Sequence, residues 1–152
     1  MNIIERMGGS NWFLTIAPKF VPQVDRFVHK ITGGRVILTS LYIPVLLLHS
    51  IGRKSGQERS TPIATMPDGD NWVIVGSNYG RENHPAWTYN LIANPDARVE
   101  FKGKTYAVKA HMASPEEKAT LWPRIVKVWP NFDKYSERSG GRELRVFILE
   151  RQ

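Results

Sequence analysis

The stretch Gly52-Arg53-Lys54-Ser55-Gly56-Gln57-Glu58-Arg59-Ser60-Thr61-Pro62 lies between two apolar runs and concentrates cations, glycines, hydroxyls and an amide. Such a loop can turn backbone N–H groups toward an anion while Arg53, Lys54 and Arg59 supply opposing charge. The arginines suit forked contacts to phosphate or carboxylate, and the lysine acts as a point charge. The spacing is neither that of the phosphate loop, Gly-x-x-x-x-Gly-Lys-Ser/Thr, nor a dinucleotide fingerprint. The plainer alternative is a solvated basic loop in which Gly56 serves only a tight turn. A second polar stretch follows, Ser77-Asn78-Tyr79-Gly80-Arg81-Glu82-Asn83-His84-Pro85-Ala86-Trp87. Ala86 beside Trp87 can leave a flat slot for a planar ring, with Asn90 one turn on to hydrogen-bond it. The alternative is a core tryptophan and a surface amide. Together the two stretches suggest a bound phosphorylated cofactor.

Side chains that do chemistry unaided are scarce. His29, His49, His84 and His111 are scattered without metal-ligand spacing, and His84 before Pro85 reads as a turn residue. Ser50, Ser55 and Ser77 lack a nucleophile-elbow context. Asp133 and Glu137 read as a helix surface. Trp122 and the three-residue series Trp129, Phe132, Tyr135 are either core or a lid over an apolar substrate. With no cysteine, thiol nucleophiles, disulfides and thiolate metal sites are excluded. An enzymatic reading therefore gives the chemistry to a bound cofactor that the protein positions.

The elements that position these residues are legible from apolar spacing and punctuation. The 152 residues fit one compact unit, and 41% apolar content supplies a core. The net charge of +7 points to an anionic partner or to a solvated basic surface. No signal peptide is expected, and the longest apolar stretch, Leu38 to Ile51, is too short and polar to span a bilayer. Pro18 to Thr32 reads as an amphipathic helix with Phe20, Val24, Phe27, Val28 and Ile31 on one face. It either packs on the domain or rests on a membrane surface. Strands are expected at Val45 to Ile51, Glu58 to Met66, Asn71 to Gly76, Ala97 to Phe101, Lys104 to Ala110 and Arg145 to Glu150. Pro67-Asp68-Gly69-Asp70 and Lys102-Gly103 mark turns. A short helix is expected over Pro85 to Ala93. A second runs from the Ser114-Pro115-Glu116-Glu117 cap to about Val128, and a third over Asn131 to Arg138. Consecutive hairpins favour an α+β, mainly β chain: a small barrel of about six mostly antiparallel strands with peripheral helices, rather than a doubly wound parallel sheet.

The runs Leu47-Leu48-His49-Ser50-Ile51-Gly52-Arg53-Lys54-Ser55-Gly56-Gln57-Glu58-Arg59-Ser60-Thr61-Pro62, Gly76-Ser77-Asn78-Tyr79-Gly80 and His84-Pro85-Ala86-Trp87-Thr88-Tyr89-Asn90-Leu91-Ile92-Ala93-Asn94-Pro95 resemble the deazaflavin-dependent nitroreductase family. Leu121-Trp122-Pro123-Arg124 and Trp129-Pro130-Asn131-Phe132-Asp133-Lys134-Tyr135 continue the resemblance. It implies a split β-barrel that binds coenzyme F-420, an 8-hydroxy-5-deazaflavin with a phospholactyl-oligoglutamate tail. Members pass hydride from the reduced cofactor to quinones, nitroaromatics and other conjugated acceptors. Carried onto this chain, Gly52, Arg53, Lys54, Ser55, Gly56 and Arg59 hold the phosphate and tail, and Thr61 and Pro62 lie beside the ring. Gly76, Ser77, Asn78, Tyr79, Gly80, Ala86, Trp87 and Asn90 complete the slot. Trp129, Phe132 and Tyr135 line the acceptor pocket, with Tyr135 the candidate proton donor or substrate contact. Phe132 stands where nitroreducing members carry a tyrosine, and Asn78 where some carry lysine, so nitroimidazole reduction is not carried over.

The expectation is thus an N-terminal amphipathic segment (1–40) before a cofactor-binding barrel (41–152). Hydride passes from reduced F-420 to an apolar planar acceptor, a quinone first. Flavin mononucleotide is the less favoured cofactor, and a non-catalytic deazaflavin carrier the non-enzymatic rival. The expected location is the cytoplasm or the cytoplasmic face of a membrane touched by the N-terminal helix. No nucleic-acid motif is present.

Overall fold

The computed structural model describes residues 43–140 and 142–152, together with Gln23, Val24, Arg26, Phe27 and Lys30. Among the described residues six strands form: β1 (Val45–Ile51), β2 (Glu58–Asp68), β3 (Asn71–Gly76), β4 (Asp96–Phe101), β5 (Lys104–Met112) and β6 (Arg145–Arg151). Between them lie α1 (Ala86–Ala93), α2 (Pro115–Val128) and α3 (Asn131–Arg138), and a 3-10 turn at Asn78–Gly80 follows β3. The strands close into a barrel in the order β1-β2-β3-β6-β5-β4. Every pairing is antiparallel, and the short β1–β4 contact closes the ring.

Burial on both faces explains the unbroken apolar runs in β1 and β3. Leu46, Leu48, Trp72 and Ile74 fill the barrel interior with Val99, Val108, Phe147 and Leu149. Their alternating neighbours Val45, Leu47, Val73 and Val75 meet Leu121, Ile125, Trp129, Phe132 and Tyr135 of the α2–α3 layer. β5 has one covered face, so its Val108 and Ala110 alternate with exposed Ala107 and Lys109.

Some boundaries shift from the sequence expectation. Pro67 and Asp68 belong to β2, paired with Trp72 and Asn71, so the turn narrows to Gly69 and Asp70. β5 extends to Met112 because β6 pairs along it. Pro62 is tolerated in β2 because residues 58–64 pair only with β1, leaving the other edge without a ladder to break. The α2 cap forms as expected: Ser114 Oγ accepts from Glu117 N at 3.1 Å, and Glu117 accepts from Ser114 N at 3.0 Å.

The expected N-terminal helix, and the segment boundary at residue 40, fall largely outside the described residues. The five described there are helical. Arg26 donates through Nε and Nη2 to the Ser60 carbonyl at 2.9 and 2.6 Å, satisfying an acceptor in the β2 stretch that β3 leaves unpaired.

Candidate functional site

The loop between β1 and β2 is closed by its own backbone. Gly52 N donates to Gln57 O and Gly56 N to Gly52 O, both at 2.8 Å. Ser55 Oγ accepts from Gln57 N at 3.2 Å and from Arg59 Nη2 at 3.4 Å. Among the described residues, the N–H groups of Lys54 and Ser55 find no protein acceptor. Arg53, Lys54 and Arg59 are exposed and make no ion pair among the described residues. Arg98, Arg124 and Arg151 each have a carboxylate partner. Glu58, the acid within the loop, does not neutralise it. Arg98 Nη2 donates to both of its oxygens at 2.9 Å, and that bond holds its carboxyl below the usual range. The loop therefore keeps net positive charge beside free N–H groups, an anion-binding arrangement. Thr61 and Pro62 follow in β2, opposite Leu48 and Leu47, and are half-buried.

The second loop is organised by a residue that sequence reasoning missed. Arg142 donates to Gly76 O at 3.1 Å, to Ser77 O at 2.8 Å, and twice to Arg81 O at 2.9 and 3.2 Å. Its Nη1 also donates to His84 Nδ1 at 3.0 Å. Asn78 adopts a left-handed φ of 47°, which asparagine tolerates, and its Nδ2 donates to Asn83 O at 2.9 Å. The asparagine found in place of lysine thus closes the loop internally. Gly76 is required by close approach: a Cβ there would stand 2.8 Å from Thr88 Cγ2. Gly80, at φ +78°, lies against α3, where a Cβ would meet the Tyr135 backbone at 3.0 Å. Burial pushes the His84 pKa below 6.5, and the charges of Arg145 and Arg142 push it further.

Helix α1 joins the two loops. Asn90 Oδ1 accepts from Arg53 N at 3.0 Å, so its amide positions the first loop's backbone. Tyr89 carries the Arg53 guanidinium 4.3 Å from its ring centroid and that of Arg145 at 4.6 Å. Thr88 at the helix start touches the end of β3. The anion loop, α1, the Gly76–Gly80 turn and α3 thus form a continuous series. Ala86 is exposed at the head of α1. The indole of Trp87 is 8% exposed and packs edge-on against Phe147 at 5.7 Å, within the cluster that fills the barrel. Trp129, Phe132 and Tyr135 do assemble, but inside the α2–α3 layer. Trp129 Nε1 donates to the Tyr135 hydroxyl at 3.2 Å, and the Phe132 and Tyr135 rings meet edge-on at 6.1 Å. Tyr135 is 2% exposed.

The geometry defines a closed antiparallel barrel with a cationic, N–H-lined loop after its first strand. The chain belongs to the F420H(2)-dependent quinone reductase family, whose model matches residues 22–151. A protein of Mycobacterium tuberculosis named as an F420H(2)-dependent quinone reductase is 35% identical over 130 residues, covering 84% of this chain and 81% of that one. The solved structure of an F420-H2 dependent reductase has a TM-score of 0.65 at 30% identity, over 70% of this chain and 94% of its own. Another, described as a domain-swapped dimer, has a TM-score of 0.68 at 28% identity, over 84% and 94%. Among the described residues, no helix is long and apolar enough to cross a membrane.

Proposed function

We infer that this chain is a coenzyme F-420-dependent reductase that delivers a hydride to a quinone. The observation that carries this is the cationic loop. Arg53, Lys54 and Arg59 have no carboxylate partner among the described residues, whereas Arg98, Arg124 and Arg151 each have one. That donor set fits a phosphate followed by carboxylates. Arg53, Lys54, Ser55, Gly56 and Arg59 hold the acidic tether, and Gly52 fixes the loop's closure. Thr61, Pro62, Gly76, Ser77, Asn78, Tyr79, Gly80 and Ala86 border the ring. Trp87 and Asn90 act from beneath, one anchoring α1 in the core and the other fixing the Arg53 backbone.

When bound, the reduced deazaflavin supplies a hydride. The quinone gains two electrons and that hydrogen, and one further proton completes the quinol. The chain orients the two partners and excludes water. Trp129 and Phe132 serve as the apolar wall and Tyr135 as the proton donor or substrate contact. Because all three are buried, their layer must part for an acceptor to reach the phenol. The apolar acceptor and the exposed Val24 and Phe27, 41% and 63% accessible, support peripheral contact with the cytoplasmic face of a membrane.

Anaerobic mixing of reduced F-420, the protein and a short-chain menaquinone tests the reading. Protein-dependent oxidation of the cofactor, matched by quinol formed, is expected. Oxidation no faster than without protein contradicts it, and a spectral response to flavin mononucleotide alone reassigns the barrel to flavin.

A further inference from the structure

His49 and Ser60 face each other across β1 and β2. Toward one end of that ladder Thr65 N donates to Pro44 O at 2.9 Å, and toward the other Gly52 N donates to Gln57 O at 2.8 Å. Hydrogen-bonded and non-hydrogen-bonded pairs alternate along antiparallel strands, so His49 and Ser60 form a non-hydrogen-bonded pair, the kind that brings side chains closest. Their contact is short: His49 Nδ1 lies 2.7 Å from Ser60 Oγ. On the far side of the ring, Nε2 lies 3.2 Å from Glu100 Oε2 of β4, and both of those atoms are shut off from solvent. Glu58 Oε1 is further from Nδ1, at 3.5 Å, and that carboxylate is already held by Arg98 at 2.9 Å. A carboxylate only accepts, so Glu100 draws the imidazole proton to Nε2 and leaves the Nδ1 lone pair to the Ser60 hydroxyl. A hydroxyl, an imidazole base and a carboxylate that orients the base are the parts of an activated nucleophile.

The backbone adds a fourth part. In a non-hydrogen-bonded pair the Ser60 N–H and C=O both point away from β1, toward the edge of β2 that β3 leaves open. Arg26 takes the carbonyl, and the N–H finds no acceptor among the described residues. A free N–H on the nucleophile's own residue, beside a guanidinium, suits an oxygen that gains negative charge.

We propose that Ser60 is a nucleophile toward esters, with His49 as its base and Glu100 as the positioning residue. The site is independent of the F-420 reading, which uses none of these three side chains. Oγ attacks the ester carbonyl carbon, and its proton passes to His49 Nδ1. The carbonyl oxygen takes up the electron pair beside the Ser60 N–H. When the pair returns, the C–O bond to the alcohol breaks, and His49 gives its proton to the departing oxygen. Water then attacks the acyl-Ser60 ester by the same route, releasing the acid and restoring the hydroxyl. Ser60 is half-buried, so the substrate class is a short, unbranched acyl group on a good leaving alcohol rather than a bulky ester.

In the test, the full chain is incubated with a fluorophosphonate, whose phosphorus Ser60 Oγ attacks with loss of fluoride, and the adduct is located by peptide mass mapping. Hydrolysis of p-nitrophenyl acetate is followed beside it. The expected result is an adduct on Ser60, together with protein-dependent release of p-nitrophenol that Ser60→Ala abolishes. His49→Gln is expected to slow labelling of Ser60 by about 100-fold or more, as for a lost general base. Glu100→Gln can present an N–H to Nε2 and favour the opposite tautomer, and is expected to slow labelling as well. A thermal melt accompanies each variant, and Glu100→Gln carries the comparison where His49→Gln melts early. Wild-type protein with no adduct on Ser60, or with adducts on other serines only, overturns the proposal. Labelling at the wild-type rate in either variant also overturns it. A network that serves only the closure of the barrel would lower the melting temperature and leave Ser60 no more reactive than any other serine.

Discussion

Arg142 spends its guanidinium on the carbonyls of residues 76, 77 and 81 and on one imidazole nitrogen. Removing it leaves those acceptors without their partner. Arg142→Ala is expected to lower unfolding free energy by about 1–3 kcal/mol and to weaken F-420 binding, read by urea denaturation and ligand titration. Unchanged values in both would remove it as the loop's organiser. The bond to His84 Nδ1 also needs a neutral imidazole with its proton on Nε2. Because burial and neighbouring cations hold the folded pKa below 6.5, the unfolded chain binds the proton first as pH falls. Stability contributed above that value is therefore lost progressively below it, until the folded-state pKa is passed. A decline in urea midpoint from about pH 7 to about pH 5 is expected to be shallower in His84→Asn, and identical slopes would contradict it. This was illegible in the sequence. His84 presents itself as a turn residue before Pro85, and its partner lies 58 positions away.

At the scale of elements, the strands and helices were readable because apolar runs and turn residues agree, as at the Ser114 cap and the Lys102-Gly103 hairpin. The faces were less readable. β1 and β3 are covered on both sides, so periodicity does not separate barrel interior from helix contact. For the same reason Ala86-Trp87 reads equally as a ring slot or a core anchor, and the Phe147 contact that buries the indole depends on the β3–β6 pairing. The pairing that brings Arg145 beside α1 is equally non-local. Local turn chemistry, by contrast, marked the cationic loop directly. Gly80 couples its turn to α3, combining a left-handed φ with backbone contact at 3.0 Å. Gly80→Ala is expected to cost about 1–3 kcal/mol and to reduce F-420 affinity by displacing the turn. A thermal melt and a titration equal to those of the parent would show that the contact relaxes freely.

Over the whole molecule, the charge of +7 is unevenly used. Ion pairs occupy Arg98, Lys118, Arg124 and Arg151, while the cations around the first loop and Tyr89 have no carboxylate partner among the described residues. Composition alone could not distinguish a solvated basic surface from a site with reserved charge. Phe27 is 63% exposed, and Phe27→Glu is expected to reduce co-sedimentation with anionic vesicles. Equal sedimentation would remove the membrane contact without touching the cofactor site. The most direct test of the cationic loop is a fluorescence titration with oxidised coenzyme F-420. Lys54→Ala and Arg53→Ala are each expected to weaken binding by about 1–3 kcal/mol, while Arg124→Gln, whose charge is already paired with Asp68, leaves it unchanged. Wild-type affinity in both loop variants would contradict the assignment of that loop to the acidic tail.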